Sequence, residues 1–124
     1  MQAIPSVLVI DDDSEALNTF TQLLRALGVK NICRLASAES ALEVLERQQF
    51  TMILADYRLE GMDGAEFVER LRARGDETPV VMLSGVPDKA GVIRATQYNN
   101  VDFIGKPFRI LDLVTSMEQL AEAA

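Results

Sequence analysis

The stretch VLVIDDD, residues 7–13, decides how the rest of the chain is read. Four consecutive aliphatic residues are of strand length, and the lack of polar alternation describes a strand covered on both faces, as in a parallel sheet between helices. Three aspartates then close it. Working outward, runs of similar length recur as ICRLA at 32–36, MILA at 52–55, VVML at 80–83 and VDFIG at 101–105. Between them the apolar residues keep helical spacing: Leu17, Phe20, Leu24 and Leu27; Ala38, Ala41, Leu42 and Leu45; Phe67, Val68 and Leu71; and finally Ile110, Leu113, Val114 and Met117. Strands alternating with helices predict an α/β fold with a parallel sheet, because parallel neighbours need crossover helices. Arg34 and Asp102 interrupt the second and fifth runs. Those strands are therefore the predicted edges, and the order 2-1-3-4-5 follows.

Local punctuation agrees. Ser14 can cap the first helix and Gly28 can end it, Asp13 is itself read as a capping residue rather than a site residue, and Ser37 precedes the second helix. The segment PDKAGVIRATQYNN, 87–100, has the thinnest apolar stripe, with Gly91 and Thr96 lowering helix propensity, so the fourth helix is expected to be the most mobile.

The chain has 124 residues, 48% of them hydrophobic and 25% charged, which suits one globular domain, 1–124, with its core over about 6–121. Twelve basic against nineteen acidic residues leave a net charge of −7, a poor match for nucleic acid or anionic membrane surfaces. Histidine is absent. That excludes Ser/His and Cys/His nucleophile pairs, His-ligated metals and an internal phosphohistidine. Cys33 is the only cysteine, so an internal disulfide is excluded, and no stretch approaches the roughly 20 apolar residues of a membrane helix. A cytoplasmic location is expected.

In open α/β sheets ligands bind beyond the carboxyl ends of the strands, near the point where strand order reverses. The residues that follow the strands are Asp11, Asp12 and Asp13; then Asp56; then Ser84 and Gly85; then Lys106 and Pro107. Asp11, Asp12 and Asp56 should converge. Carboxylates about 4 Å apart repel by roughly 4 kcal/mol per pair at an effective dielectric near 20, so the cluster calls for a cation. An oxygen-only ligand set with open positions suits Mg²⁺, with Mn²⁺ as a substitute. Lys106 can offer a point charge, and Ser84 a hydroxyl, to the remaining oxygens of a phosphoryl group. This is the layout of a carboxylate nucleophile whose transferred group is neutralised on every side.

The motifs VLVIDD, ILADYRLEGMDG, VVMLSG and FIGKPF resemble those of response-regulator receiver domains of two-component signalling, and the resemblance runs from Val7 to about Leu120. It implies a flavodoxin-like (βα)5 fold. It also implies that Asp56 accepts a phosphoryl group from a histidine kinase or phosphotransfer protein, that Asp11, Asp12, Asp56 and the backbone carbonyl of Arg58 bind Mg²⁺, and that Ser84 and Lys106 hold the phosphoryl group. Phe103 stands at the switch-aromatic position. By the resemblance it turns inward as Ser84 moves toward phosphorylated Asp56, remodelling a surface read by a downstream protein or effector domain. That face serves dimerisation in some members and partner binding in others, so a homodimer stays open.

The sequence departs from the pattern at Glu60, where proline is usual, and at Asn99 and Asn100, where Gly-Ala is usual. Asn tolerates a left-handed conformation, which makes Asn99 a mild change. Arg58 and Val86, each two residues past a site residue, flank the path of a hydrolytic water and are expected to slow loss of the phosphoryl group. Three alternatives remain. Asp11-x-Asp13 also fits a haloacid-dehalogenase-type phosphatase with Asp11 as nucleophile, although the chain is short for that family. A flavin mononucleotide module is opposed by three aspartates where such modules cradle phosphate. A receiver-like interaction module that needs no phosphorylation is disfavoured because every polar group of the site is present.

Overall fold

The computed structural model describes residues 4–85 and 89–123. Five strands, β1 (Ser6–Ile10), β2 (Asn31–Leu35), β3 (Met52–Asp56), β4 (Val80–Ser84) and β5 (Val101–Gly105), alternate with five helices, α1 (Ser14–Ala26), α2 (Ala38–Arg47), α3 (Gly64–Ala73), α4 (Lys89–Thr96) and α5 (Ile110–Ala123). The sheet is parallel throughout in the order β2-β1-β3-β4-β5, as the sequence predicts.

Two apolar layers cover the sheet. One joins alternate strand residues such as Leu8, Ile10, Ile53 and Met82 to Ala41 and Leu45 of α2 and Phe67, Val68 and Leu71 of α3. The other joins Val7, Val9, Leu54 and Leu83 to Leu17, Phe20 and Leu24 of α1 and Leu113 and Met117 of α5. Burying each large side chain fully contributes about 1.5–3 kcal/mol, so four of the five helices are fastened by their apolar faces. The fourth is not. Among its described side chains the buried positions are Gly91 and Ala95, and Ile93 is 59% exposed. Cys33 packs half-buried, and Met52, Met62, Met82 and Met117 are buried, so these residues fill core space as expected.

Two local expectations are corrected. Of the two capping candidates, Asp13 caps α1, as expected of it, and Ser14 does not: the Asp13 side chain accepts from the Glu15 amide, and Ser14 is the first helical residue. Asp13 keeps the extended dihedrals a cap needs, φ −94° and ψ 115°. The left-handed residue before β5 is Asn100, with φ 62°, rather than Asn99. Its side-chain amide donates to the Glu77 carbonyl at 3.1 Å and its carbonyl accepts from the Val80 amide at 2.9 Å, so a polar residue is satisfied there. Ser37 caps α2 by accepting from the Ser40 amide, and Gly28, with φ 94°, follows α1 as predicted.

Candidate functional site

Strand pairing sets the site. β1 and β3 are hydrogen-bonded neighbours whose pairing runs to Ile10 with Ala55, so the next residues, Asp11 and Asp56, emerge side by side at the carboxyl edge. Asp12 follows Asp11 where the chain turns toward α1. Carboxylate oxygens of Asp11, Asp12 and Asp56 all lie within 4.8 Å of one another. Asp11 is buried, Asp56 half-buried and Asp12 exposed, so the cluster is open on the Asp12 side.

β4 runs beside β3 and β5 beside β4. Ser84 ends β4, pairs in register with Gly105 and is 3% exposed. Its carbonyl accepts from the Lys106 amide at 2.6 Å, which fixes the start of the following loop. From there Lys106 reaches back, placing Nζ 3.6 Å from Asp56 Oδ2. Gly85 leaves open space: a Cβ there would meet only the Lys106 side chain, at 4.0 Å.

Electrostatically the site is unbalanced. Burial pushes the Asp11 carboxyl above its ordinary value of 3.8; the negative charges of Asp56 and Asp12 push it the same way, while the Asp13 amide and Lys106 oppose. The Asp13 amide donates to Asp11 Oδ1 at 2.9 Å, and the Arg58 amide donates to Asp56 Oδ1 at 3.3 Å. Three carboxylates thus face one ammonium group and two amides. Oxygen donors alone, one of them buried and short of positive charge, fit a hard divalent cation such as Mg²⁺. Those three carboxylates would hold it.

The remaining predicted residues lie around this centre. Arg58 is exposed. Val86 lies outside the described residues. Phe103 is half-buried on β5, in register with Met82, with its ring centroid 5.5 Å from that of Tyr57. Glu60 is exposed on the loop after Asp56.

Several residues around the site belong to the motif ILADYRLEGMDG but were given no role of their own from the sequence. Tyr57, next to Asp56, is 4% exposed and donates from its hydroxyl to Asp63 Oδ2 at 3.3 Å. Asp63 caps α3 by accepting from the Glu66 amide at 2.8 Å, and its Oδ2 is 3.8 Å from Arg94 of α4. Gly64 begins α3 where a Cβ would lie 2.5 Å from Met82 Sδ and 3.1 Å from the Tyr57 ring, so any larger residue would need the Met82 side chain to move. An Asp-x-x-Glu capping pattern at 63–66 was the available signal for Asp63.

Comparison with known proteins agrees with this geometry. The response regulator receiver domain model matches residues 7–118, and the chain belongs to that family. It is 33% identical over 122 residues to the C4-dicarboxylate transport transcriptional regulatory protein DctD of Rhizobium meliloti, covering 98% of this chain and 26% of that protein. Among solved structures, response regulator StyR superposes with a TM-score of 0.86 at 30% identity, over 98% of this chain and 61% of the other. A CheY-like receiver domain protein from Methanospirillum hungatei shares the fold with a TM-score of 0.86 at 23% identity, over 98% of this chain and 96% of the other. The chain therefore spans about a quarter of DctD, and about half of response regulator protein TodT of Pseudomonas putida, of which it covers 52%. It is a regulatory receiver domain, consistent with two-component signalling. Among the described residues no helix is long and apolar enough to cross a membrane.

Proposed function

We propose that residues 6–121 act as one cytoplasmic receiver unit in which Asp56 accepts a phosphoryl group from a phosphorylated histidine of a kinase or phosphotransfer protein. The observation that carries this reading is the open cluster of three carboxylates with Lys106 Nζ 3.6 Å from Asp56 Oδ2. In the reaction an Asp56 carboxylate oxygen attacks phosphorus, an acyl phosphate P–O bond forms, the P–N bond to the donor breaks, and the imidazole departs with that electron pair. With no histidine of its own, the chain must receive the group from another molecule or another domain.

Asp11, Asp12 and Asp56 would hold Mg²⁺, with the Arg58 carbonyl as a further ligand by resemblance to the family. When bound, the metal neutralises charge on the transferring phosphoryl group. Lys106 is held at its post by the link between its amide and Ser84, and it compensates a second phosphoryl oxygen. The Ser84 hydroxyl hydrogen-bonds a third, and Phe103 answers that movement by packing inward beside Tyr57. The readout is a protein surface read by a downstream partner, an effector domain or a second copy of the chain; neither nucleic acid nor membrane contacts it directly. Arg58 and Val86 shield the acyl phosphate from water.

Incubating the protein with acetyl phosphate and Mg²⁺ and mapping the modified residue by peptide mass spectrometry tests the reading. A single phosphoryl group on Asp56 is expected. Modification of Asp11 with multiple turnover of the donor would replace the receiver by a phosphatase.

A further inference from the structure

Helix α4 differs from the other helices in what holds it. Its buried described residues, Gly91 and Ala95, offer one methyl group between them, and Val92 is only half-buried. Ala95 joins Tyr57 and Ala65 in a small apolar cluster against which Phe103 and Val101 pack. Two guanidinium groups add to the attachment among the described residues, and they differ in kind.

The first is Arg72 of α3, whose side chain is 5% exposed. It donates from Nη1 to the Asp76 carbonyl at 2.9 Å and from Nη2 to the Asn99 carbonyl at 3.0 Å, binding the turn that follows α4 to the loop that precedes β4. The second is Arg94 in α4 itself. It makes a two-pronged contact with Glu69 of α3, Nη2 to Oε1 at 2.8 Å and Nε to Oε2 at 3.3 Å, with Asp63 Oδ2 3.8 Å away. Asp63 also takes the Tyr57 hydroxyl, so the Arg94 cluster begins one residue from Asp56. The Arg94, Glu69 and Asp63 side chains are 46%, 35% and 38% exposed, so water and salt reach them.

We propose that α4 is a lever, hinged at the buried Arg72 clamp on Asn99 and Asn100 and latched to α3 by the solvent-accessible Arg94–Glu69–Asp63 cluster. Opening the latch lets α4 move about its carboxyl-terminal turn while the other helices stay fastened by their apolar faces. It also loosens the Tyr57–Ala65–Ala95 cluster that receives the Phe103 ring. The latch is a property of the unmodified chain; only its link to Phe103 as the switch rests on the receiver reading.

The test is amide hydrogen exchange, resolved by residue, on the full unmodified chain. An exposed bidentate pair in a shared network supports about a fivefold change in local opening, so Arg94→Gln should speed exchange across α4 by about fivefold. Glu69→Gln should do the same, the two should not add in the double variant, and raised sodium chloride should mimic them in the wild type. Arg70→Gln, which breaks the Arg70–Glu66 pair confined to α3, should leave α4 unchanged. Equal α4 exchange in wild type and Arg94→Gln, fully additive single variants, or faster exchange in every helix together would overturn the latch. Failure of Asp56 to take label from acetyl phosphate would instead overturn the proposed function and leave these exchange outcomes standing.

Discussion

The two ends of the sheet both gather charge, and they treat it in opposite ways. At the amino end the cation Arg72 is surrounded by acceptors: Glu77 Oε2 at 3.2 Å and the carbonyls of Asp76, Asn99 and Asn100. At the carboxyl end three carboxylates converge on a single lysine. Burial of a charge is tolerated where partners compensate it, and Arg72 is largely compensated: its Nη atoms are hydrogen-bonded and Glu77 lies beside it, although its Nε makes no hydrogen bond and burial lowers its pKa. The second holds repulsion in reserve. Acidic groups exceed basic ones at that end, and the raised pKa of Asp11 there supports the proposed ligand site, since perturbed carboxylates often mark functional sites.

Four substitutions probe this contrast. Asp56→Asn should abolish phosphoryl uptake from acetyl phosphate in intact-mass measurements while leaving the thermal midpoint near that of the wild type, because the residue lies at a strand end outside the core. Arg72→Ala should do the converse: urea denaturation should show a loss of about 2 kcal/mol, with Asp56 still modified, since several carbonyls lose a buried donor. If Arg72→Ala silences uptake as strongly as it destabilises, the two ends are not independent.

Asp11→Asn should raise the stability of metal-free protein by about 1 kcal/mol at neutral pH, since it removes a buried charge facing two others. The pH dependence follows from the raised pKa of Asp11. Folded Asp11 holds its proton more tightly than the unfolded chain does, so its contribution is intact below 3.8 and is lost as pH rises through the folded value. The advantage of Asp11→Asn should therefore appear over that window and vanish at lower pH, measured by denaturation at a series of pH values in EDTA. The smallest effect belongs to the rim. Arg58→Ala should shorten the life of the Asp56 phosphoryl group by a few-fold in a phosphate-release assay, and an unchanged half-life would remove Arg58 from that role.

How much of this was legible before the structure depends on whether the signal was local. The β1, β3 and β4 runs read as buried strands because their apolar residues are consecutive, and Arg34 and Asp102 marked the edges because charge is tolerated there. Asp11, Asp12, Asp56 and Lys106 were legible because parallel topology sends every strand's end to one rim. Ser14 was mistaken for the cap because Asp13 and Ser14 are both good capping residues, and only the backbone dihedrals separate them. Asn100 has the same history beside Asn99. Arg72 and Arg94 were invisible for a different reason: each sits in an ordinary run of helix charges, and Asn99 and Asn100 for Arg72 and Glu69 for Arg94 lie 25 to 28 residues away. Long-range pairing of surface-type residues leaves no period in a sequence.

The most direct test of the contrast between the two ends is calorimetric titration of EDTA-treated protein with Mg²⁺. One ion per chain should bind to the wild type and to Arg72→Lys, and binding should be lost in the Asp11→Asn, Asp12→Asn double variant. A wild type that binds no ion, or binding undiminished in the double variant, would contradict the assignment of the carboxyl end as the site.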